Sequence, residues 1–215
     1  NEKTGRISGT PSKAGNFTFT YRVTDNCSQT ATKNCTIAIY EPLTCNQTIT
    51  LPCLYNGKTL ADTVAFSATG GKPPYAWVLT PIGSSKALPN GLLQKKAPNG
   101  DGSILYGTIT ENGTYNFTAT VTDSLGNKCS QNHTIEVHPK LEITSTCPLG
   151  VGTNRTAYIA NLTATGGKLG YTWSIRPPSS LPQGLSLNAT TGRISGTPPA
   201  AGNFTFTYQV TDTCS

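Results

Sequence analysis

Residues Thr4–Asp25 read TGRISGTPSKAGNFTFTYRVTD, and this stretch decides the fold. After Gly15 the residue types alternate. Phe17, Phe19, Tyr21 and Val23 fall on one face, and Asn16, Thr18, Thr20 and Arg22 on the other. A period of two bounded by Gly and Asp is the pattern of a half-buried β-strand. The stretch returns at Thr191–Asp212 as TGRISGTPPAAGNFTFTYQVTD, and more loosely at Tyr106–Asp123 as YGTITENGTYNFTATVTD. Its Gly-Thr marker stands at Gly9, Gly107 and Gly196, intervals of 98 and 89 residues. Those intervals are too long for a solenoid repeat and suit a sandwich of about 100 residues with its own core.

The ruler divides the chain. Residues 1–40 read as the back end of one domain, with strands at Arg6–Ser8, Asn16–Thr24 and Thr36–Tyr40. Residues 41–139 read as a complete domain, with strands at Thr48–Leu51, Thr63–Ala68, Tyr75–Leu79, Ile104–Gly107, Thr114–Thr122 and Thr134–Val137. Turn chemistry separates them at Gly70–Pro74, Leu88–Leu92 and Asn99–Gly102. Residues 140–215 repeat the order and stop before a last strand. Residues 1–28 match residues 188–215 without a gap at 22 of 28 positions, so the chain reads as a window cut from a longer polypeptide, opening and closing in one register.

Composition narrows the class. Charged residues make up 12%, Gly and Pro number 22 and 15, and no segment has helical periodicity. The expected fold is all-β, a tandem of β-sandwich domains with one complete and two partial copies. No apolar run approaches the roughly 18 residues of a membrane span. The net charge of +6 comes from dispersed Lys and Arg, with only Lys95-Lys96 adjacent. Without a basic stripe interleaved with aromatics, nucleic acid is not an expected partner. Weak attraction to acidic polysaccharide remains open.

The motifs carry a resemblance. Ala68-Thr69-Gly70-Gly71 followed by Tyr75 and Trp77, then Leu88-Pro89-Asn90-Gly91-Leu92, recur as Ala164–Gly167 with Tyr171 and Trp173, then Leu181–Leu185. With the signature stretch, they resemble the immunoglobulin-like (cadherin-like) tandem repeats of bacterial, archaeal and protist surface proteins. The resemblance implies Ig-like sandwiches serving as stalks, filaments, adhesin arms or spacers of exported enzymes. It implies no activity.

Eleven of the 16 Asn begin an N-x-S/T triplet: Asn16, Asn26, Asn34, Asn46, Asn112, Asn116, Asn132, Asn154, Asn161, Asn188 and Asn203. Random placement would give about four such N-glycosylation signals. Asn16, Asn116 and Asn203 fall opposite the aromatic face, where a glycan would project into solvent.

Seven Cys with no CxxC suggest disulfides rather than a redox or zinc site. Cys35/Cys45 and Cys27/Cys53 are both centred on residue 40, and Cys129/Cys147 on residue 138. This symmetry predicts nested bridges Cys35–Cys45, Cys27–Cys53 and Cys129–Cys147 across domain junctions, with Cys214 bonded outside the chain. Coincidence is the competing explanation.

Trp77 and Trp173 read either as sugar-stacking platforms or as core residues between two sheets, and the neighbouring alternation favours the core. Asp25, Asp123 and Asp212 close the signature strand and suit turn carboxylates better than calcium ligands. His133 and His138, the only histidines, accompany no nucleophile motif, so no catalytic residue, metal site or cofactor is expected. The expected function is a structural part of an extracellular filament, stalk or cell-surface appendage. The partners expected are neighbouring repeats, copies of the chain and covalent N-glycans. An adhesin or the spacer of an exported enzyme are the alternatives.

Overall fold

The computed structural model describes residues 1–45, 51–83, 86–98, 100 and 102–214. These residues form strands, turns and loops and contain no helix. The signature stretch supplies β1 (Gly15–Thr24), which forms an antiparallel hairpin with β2 (Thr30–Ile39), from Gly15↔Ile39 to Thr24↔Thr30. β2 starts six residues before the expected Thr36, because the hairpin continues to its turn. Arg6–Ser8, expected as a strand, lies outside any strand. Its copy β15 (Arg193–Gly196) is a strand because it lies between β11 (Tyr158–Asn161) and β14 (Leu185–Leu187), and residues 1–40 contain no counterpart of either.

The middle of the chain builds two sheets. One has the order β3 (Leu54–Tyr55), β9 (Lys128–His138), β8 (Gly113–Thr122), β5 (Ala76–Pro81). The other has the order β4 (Thr59–Ser67), β7 (Gly102–Thr108), β6 (Leu92–Lys96). Neither β3 nor β6 is expected from the sequence, because two to five residues between turns show too little periodicity. The expected strand Thr48–Leu51 lies almost wholly outside the described residues. β3 lies parallel to β9, through Leu54↔Val137 and Tyr55↔His138, while the other pairings of this sheet are antiparallel.

Alternation becomes burial in β8. Tyr115, Phe117, Ala119 and Val121 are buried, and Phe117 and Val121 are fully covered. Phe117 meets Phe66 edge-on at 6.0 Å inside a cluster with Leu54, Leu60, Leu92, Leu105, Ile109, Ile135 and Val137. Burying one such ring contributes roughly 1.5–3 kcal/mol. Trp77 packs on Phe66 at 5.6 Å, and Trp173 is 4% exposed among Leu162, Ile194 and Tyr208, so both serve the core.

The recurrent motifs have a backbone explanation. Gly91 of the Leu-Pro-Asn-Gly-Leu turn has φ +83°, and a Cβ there would lie 1.9 Å from the Thr108 carbonyl oxygen. A Cβ on Gly107 would lie 2.2 Å from the Gly91 carbonyl oxygen. The turn and the Gly-Thr marker therefore press backbone on backbone, which only Gly permits. Gly184 and Gly196 repeat the contact, the Gly196 Cβ position lying 2.0 Å from the Gly184 carbonyl oxygen. The tyrosine of each Gly-Gly motif closes the turn before it, since Tyr75 donates to the Gly70 carbonyl and Tyr171 to the Gly166 carbonyl.

Residues 142–211 repeat this plan in shorter strands. β10 (Glu142–Ile143) pairs with β12 (Ala164–Thr165), and β13 (Thr172–Ile175) pairs with β16 (Tyr208–Thr211). Asn203–Thr207, identical in sequence to Asn16–Thr20, lies outside any strand. Among the described residues β16 pairs only with β13, whereas its counterparts β1 and β8 pair along ten residues with β2 and β9.

Candidate functional site: glycan-bearing faces and disulfide staples

On each hairpin the face opposite the aromatics is a ladder of Thr, Ser and Asn. Thr18 and Thr36 share a hydrogen bond of 3.2 Å, and Thr120 and Ser130 one of 2.9 Å. Thr20 donates to Asn34 Oδ1 at 2.6 Å, Thr118 to Asn132 Oδ1 at 2.8 Å and Thr134 to Asn116 Oδ1 at 2.7 Å. Cross-strand pairing makes these contacts, because residues opposite each other share a face: Thr20↔Asn34, Thr118↔Asn132 and Asn116↔Thr134. The bond holds each amide by its oxygen, so the side-chain nitrogen, the atom an N-glycan would join, points away from that contact. Asn188 is held in a turn instead, its Oδ1 accepting the N–H groups of Thr190 and Thr191 at 3.0 Å each.

Asn16, Asn26, Asn34, Asn112, Asn116, Asn132, Asn154, Asn161, Asn188 and Asn203 are all exposed. Asn46 lies outside the described residues. His133, the middle residue of the Asn132 triplet, points the other way. Its ring is 5.4 Å from Phe66 and 5.8 Å from Phe117, and burial holds its pKa below the usual imidazole value.

The cysteines are connected differently from the nested expectation. Cys45 is bonded to Cys129, with S–S 2.03 Å and Cα–Cα 5.8 Å, and Cys53 to Cys214, with Cα–Cα 5.4 Å. These bonds replace Cys35–Cys45, Cys27–Cys53 and Cys129–Cys147, and they place the partner of Cys214 inside the chain. The symmetry argument required an antiparallel fold-back at residues 40 and 138. Instead, β3 runs parallel to β9, the last strand of its own sandwich, and the chain before β3 meets β9 in the same sense. Cys45 thus reaches Cys129, 84 residues away, and the bridge packs among Ala68, Tyr75, Val121 and Trp77. Sequence spacing carries no sign of strand direction, so the parallel pairing was not legible. Cys27, Cys35 and Cys147 are unbonded.

His138 completes a cluster with Cys53 and Cys214 whose ligand atoms lie within 4.8 Å of one another. With both sulfurs in a disulfide, the thiolates that a zinc or copper site would use are consumed, so the cluster acts as a covalent staple. This meeting of residues 53, 138 and 214 has no sequence signal.

The three Asp residues close their turns as expected. Asp25 Oδ1 accepts the N–H groups of Cys27 at 2.9 Å and Gln29 at 2.8 Å. Asp212 accepts those of Lys168 at 2.8 Å and Cys214 at 3.0 Å, and so positions the stapled cysteine. Asp123 is 5% exposed and accepts from the N–H groups of Lys72, Leu125 and Asn127 and from the Asn127 side chain. Burial alone would raise its pKa. The Asn127 side chain and the three backbone donors outweigh burial and hold the carboxyl below its ordinary value. Lys95, of the adjacent basic pair, is engaged by Asp62 at 2.7 Å and lies over the Tyr106 ring at 4.8 Å.

The class these features define is an all-β protein of Ig-like sandwich architecture. Residues 142–215 match the family described as Putative Ig domain. No curated protein matches the chain. Among solved structures, extracellular domains 3–5 of Drosophila OTK are 12% identical, with 94% of this chain and 71% of that one covered and a TM-score of 0.43. Sidekick-1 immunoglobulin domains 1–5 are 15% identical, with 88% and 40% covered and a TM-score of 0.39. The human Desmocollin-1 ectodomain is 12% identical, with 86% and 37% covered and a TM-score of 0.33. Among the described residues no helix is long and apolar enough to cross a membrane.

Proposed function

We propose that this chain is part of an extracellular, N-glycosylated and disulfide-stapled array of tandem Ig-like domains, serving as a structural element of a filament, stalk or cell-surface appendage. The domains are residues 1–40, 41–139 and 140–215, the first and last being partial. The observation that carries the reading is the exposure of all ten described sequon asparagines on a chain whose cysteines form long-range disulfides. Disulfides of this kind persist in oxidising compartments. Glycans along the polar faces would keep strand edges from stray pairing and proteolysis. The staple Cys53–Cys214 would join the complete domain to the one after it and stiffen their junction. The partners are neighbouring repeats or copies of the chain and the covalent glycans.

The test is peptide mass spectrometry of material secreted from its native host, before and after enzymatic deglycosylation, with negative-stain microscopy of the same sample. Glycan mass on several of the named asparagines and regular elongated particles are expected. Unmodified asparagines on compact particles would overturn the reading. A second reading, an adhesin, draws on an open groove of about 350 Å³ lined by Thr144, Ser145, Thr146, Asn161 and Thr163 among others, whose hydroxyls suit a sugar. Saturable glycan-array binding lost in Thr144→Ala would favour it.

A further inference from the structure

Two of the exposed sequons lie directly opposite each other in the middle sandwich. Asn116-Phe117-Thr118 on β8 and Asn132-His133-Thr134 on β9 run antiparallel, in the register Asn116↔Thr134, Phe117↔His133 and Thr118↔Asn132. Their hydroxyls are exchanged across the pair. Thr134 donates to Asn116 Oδ1 at 2.7 Å, and Thr118 donates to Asn132 Oδ1 at 2.8 Å. An N-x-S/T signal is an amide together with the hydroxyl two residues on. Here each hydroxyl serves the amide of the other triplet.

The middle residues lie on the opposite face, as strand alternation requires. Phe117 is fully buried, its ring is 5.8 Å from that of His133, and Phe66 lies 6.0 Å from the one and 5.4 Å from the other. The backbone is engaged as well. β8 lies between β9 and β5, and the Asn116 carbonyl accepts the Ile82 N–H at 2.9 Å. The Cys45–Cys129 bridge pins β9 three residues before Asn132. An enzyme that modifies a triplet must take the whole segment into its own cleft. Neither triplet can be lifted out without parting β8 from β9 and drawing Phe117 from the core. An opening of that size approaches unfolding of the sandwich. Folded domains are open to that extent in about one molecule in a thousand to one in a million.

Asn154-Arg155-Thr156 and Asn188-Ala189-Thr190 differ. All six of these residues are exposed, and they lie in turns and loops outside any strand. Exposure of the asparagine alone does not separate the two classes. Engagement of the whole triplet does.

We infer that Asn116 and Asn132 form a fold-gated pair, which accepts glycans only while β8 and β9 are apart, whereas Asn154 and Asn188 accept them on the folded chain. This rests on the reading of the triplets as glycan sites and adds the order in which they are modified. In the transfer, Asn Nδ2 forms a bond to the anomeric carbon of a lipid-diphosphate-linked oligosaccharide. The bond from that carbon to the diphosphate oxygen breaks, the diphosphate leaves with the electron pair, and the amide gives up one proton. The finished glycan suits the folded sheet, because the Oδ1 that accepts from the opposite threonine is not consumed.

The test offers the full chain, made without glycans and with both bridges closed, to an oligosaccharyl transferase and its lipid-linked donor. Synthetic peptides of residues 114–122, 130–138, 151–159 and 185–193 are offered in parallel, and mass spectrometry gives a folded-to-peptide rate ratio for each asparagine. The expected ratio is within about threefold of one at Asn154 and Asn188 and below about one-hundredth at Asn116 and Asn132. Gly107→Ala, in the other sheet, opens the sandwich more often and should raise transfer at Asn116 and Asn132 by about tenfold or more, leaving Asn154 and Asn188 as they were. Similar ratios at all four asparagines, or no response to Gly107→Ala, would overturn the gate. Peptides of residues 114–122 and 130–138 left unmodified would overturn it too, since sequence and not fold would then silence the triplets. Such failures leave glycan occupancy in native material and particle shape untouched, so they are distinct from a failure of the rod reading.

Discussion

Replacing Cys45 and Cys129 together by Ala removes a bridge that closes a loop spanning 84 residues. The chain-entropy relation for a loop of that length gives about 4.5 kcal/mol at 25 °C. Native-state effects pull measured values into a range of about 2–5 kcal/mol. Total stabilities of small domains lie near 5–15 kcal/mol, so the double variant should be folded only marginally. The assay is urea unfolding followed by the fluorescence of Trp77, which packs beside the bridge, in a Trp173→Phe background so that one indole reports. With a slope of about 2 kcal/mol per molar urea, the midpoint should fall by roughly 2 M. Reducing the unsubstituted protein should lower its midpoint by at least as much, since reduction also opens Cys53–Cys214. A midpoint shift that amounts to less than about 1 kcal/mol would refute the reasoning, because a native loop of this length costs more to lose. So would non-reduced peptide maps that join Cys45 to Cys35.

Two further perturbations test the fold where it positions these features. Gly107→Ala should destabilise the middle sandwich by more than about 2 kcal/mol, because its Cβ would meet the Gly91 carbonyl oxygen at a positive φ. Gly9→Ala, in the same motif but with nothing within 4 Å, should change little, and equal thermal shifts in the two would disprove the backbone-contact account. The folded-state pKa of Asp123 lies below its unfolded value, so its stabilisation is present above the unfolded value and lost as pH falls through the folded one. The gap in urea midpoint between the unsubstituted protein and Asp123→Asn should therefore narrow as pH drops from about 5 to about 2, and a constant gap would contradict the assignment.

The sequence by itself determined the strand faces, the repeat length and the turn chemistry. The period-two run of β8 buries the face it announces, and the paired Gly residues stand where turn and marker touch. The turn role of the Asp residues and the exposure of the sequons were legible for the same reason: each depends on local backbone geometry and on which face a residue shares. What only the tertiary structure decided is which of those faces found a partner. Asn-Phe-Thr-Phe-Thr is a strand at Asn16–Thr20, with β2 beside it, and is outside any strand at Asn203–Thr207. The strand direction that brings Cys45 to Cys129 was likewise invisible, since cysteine spacing is the same for parallel and antiparallel neighbours. Hydrogen bonds and burial between strands are long-range, so a pentapeptide cannot carry them.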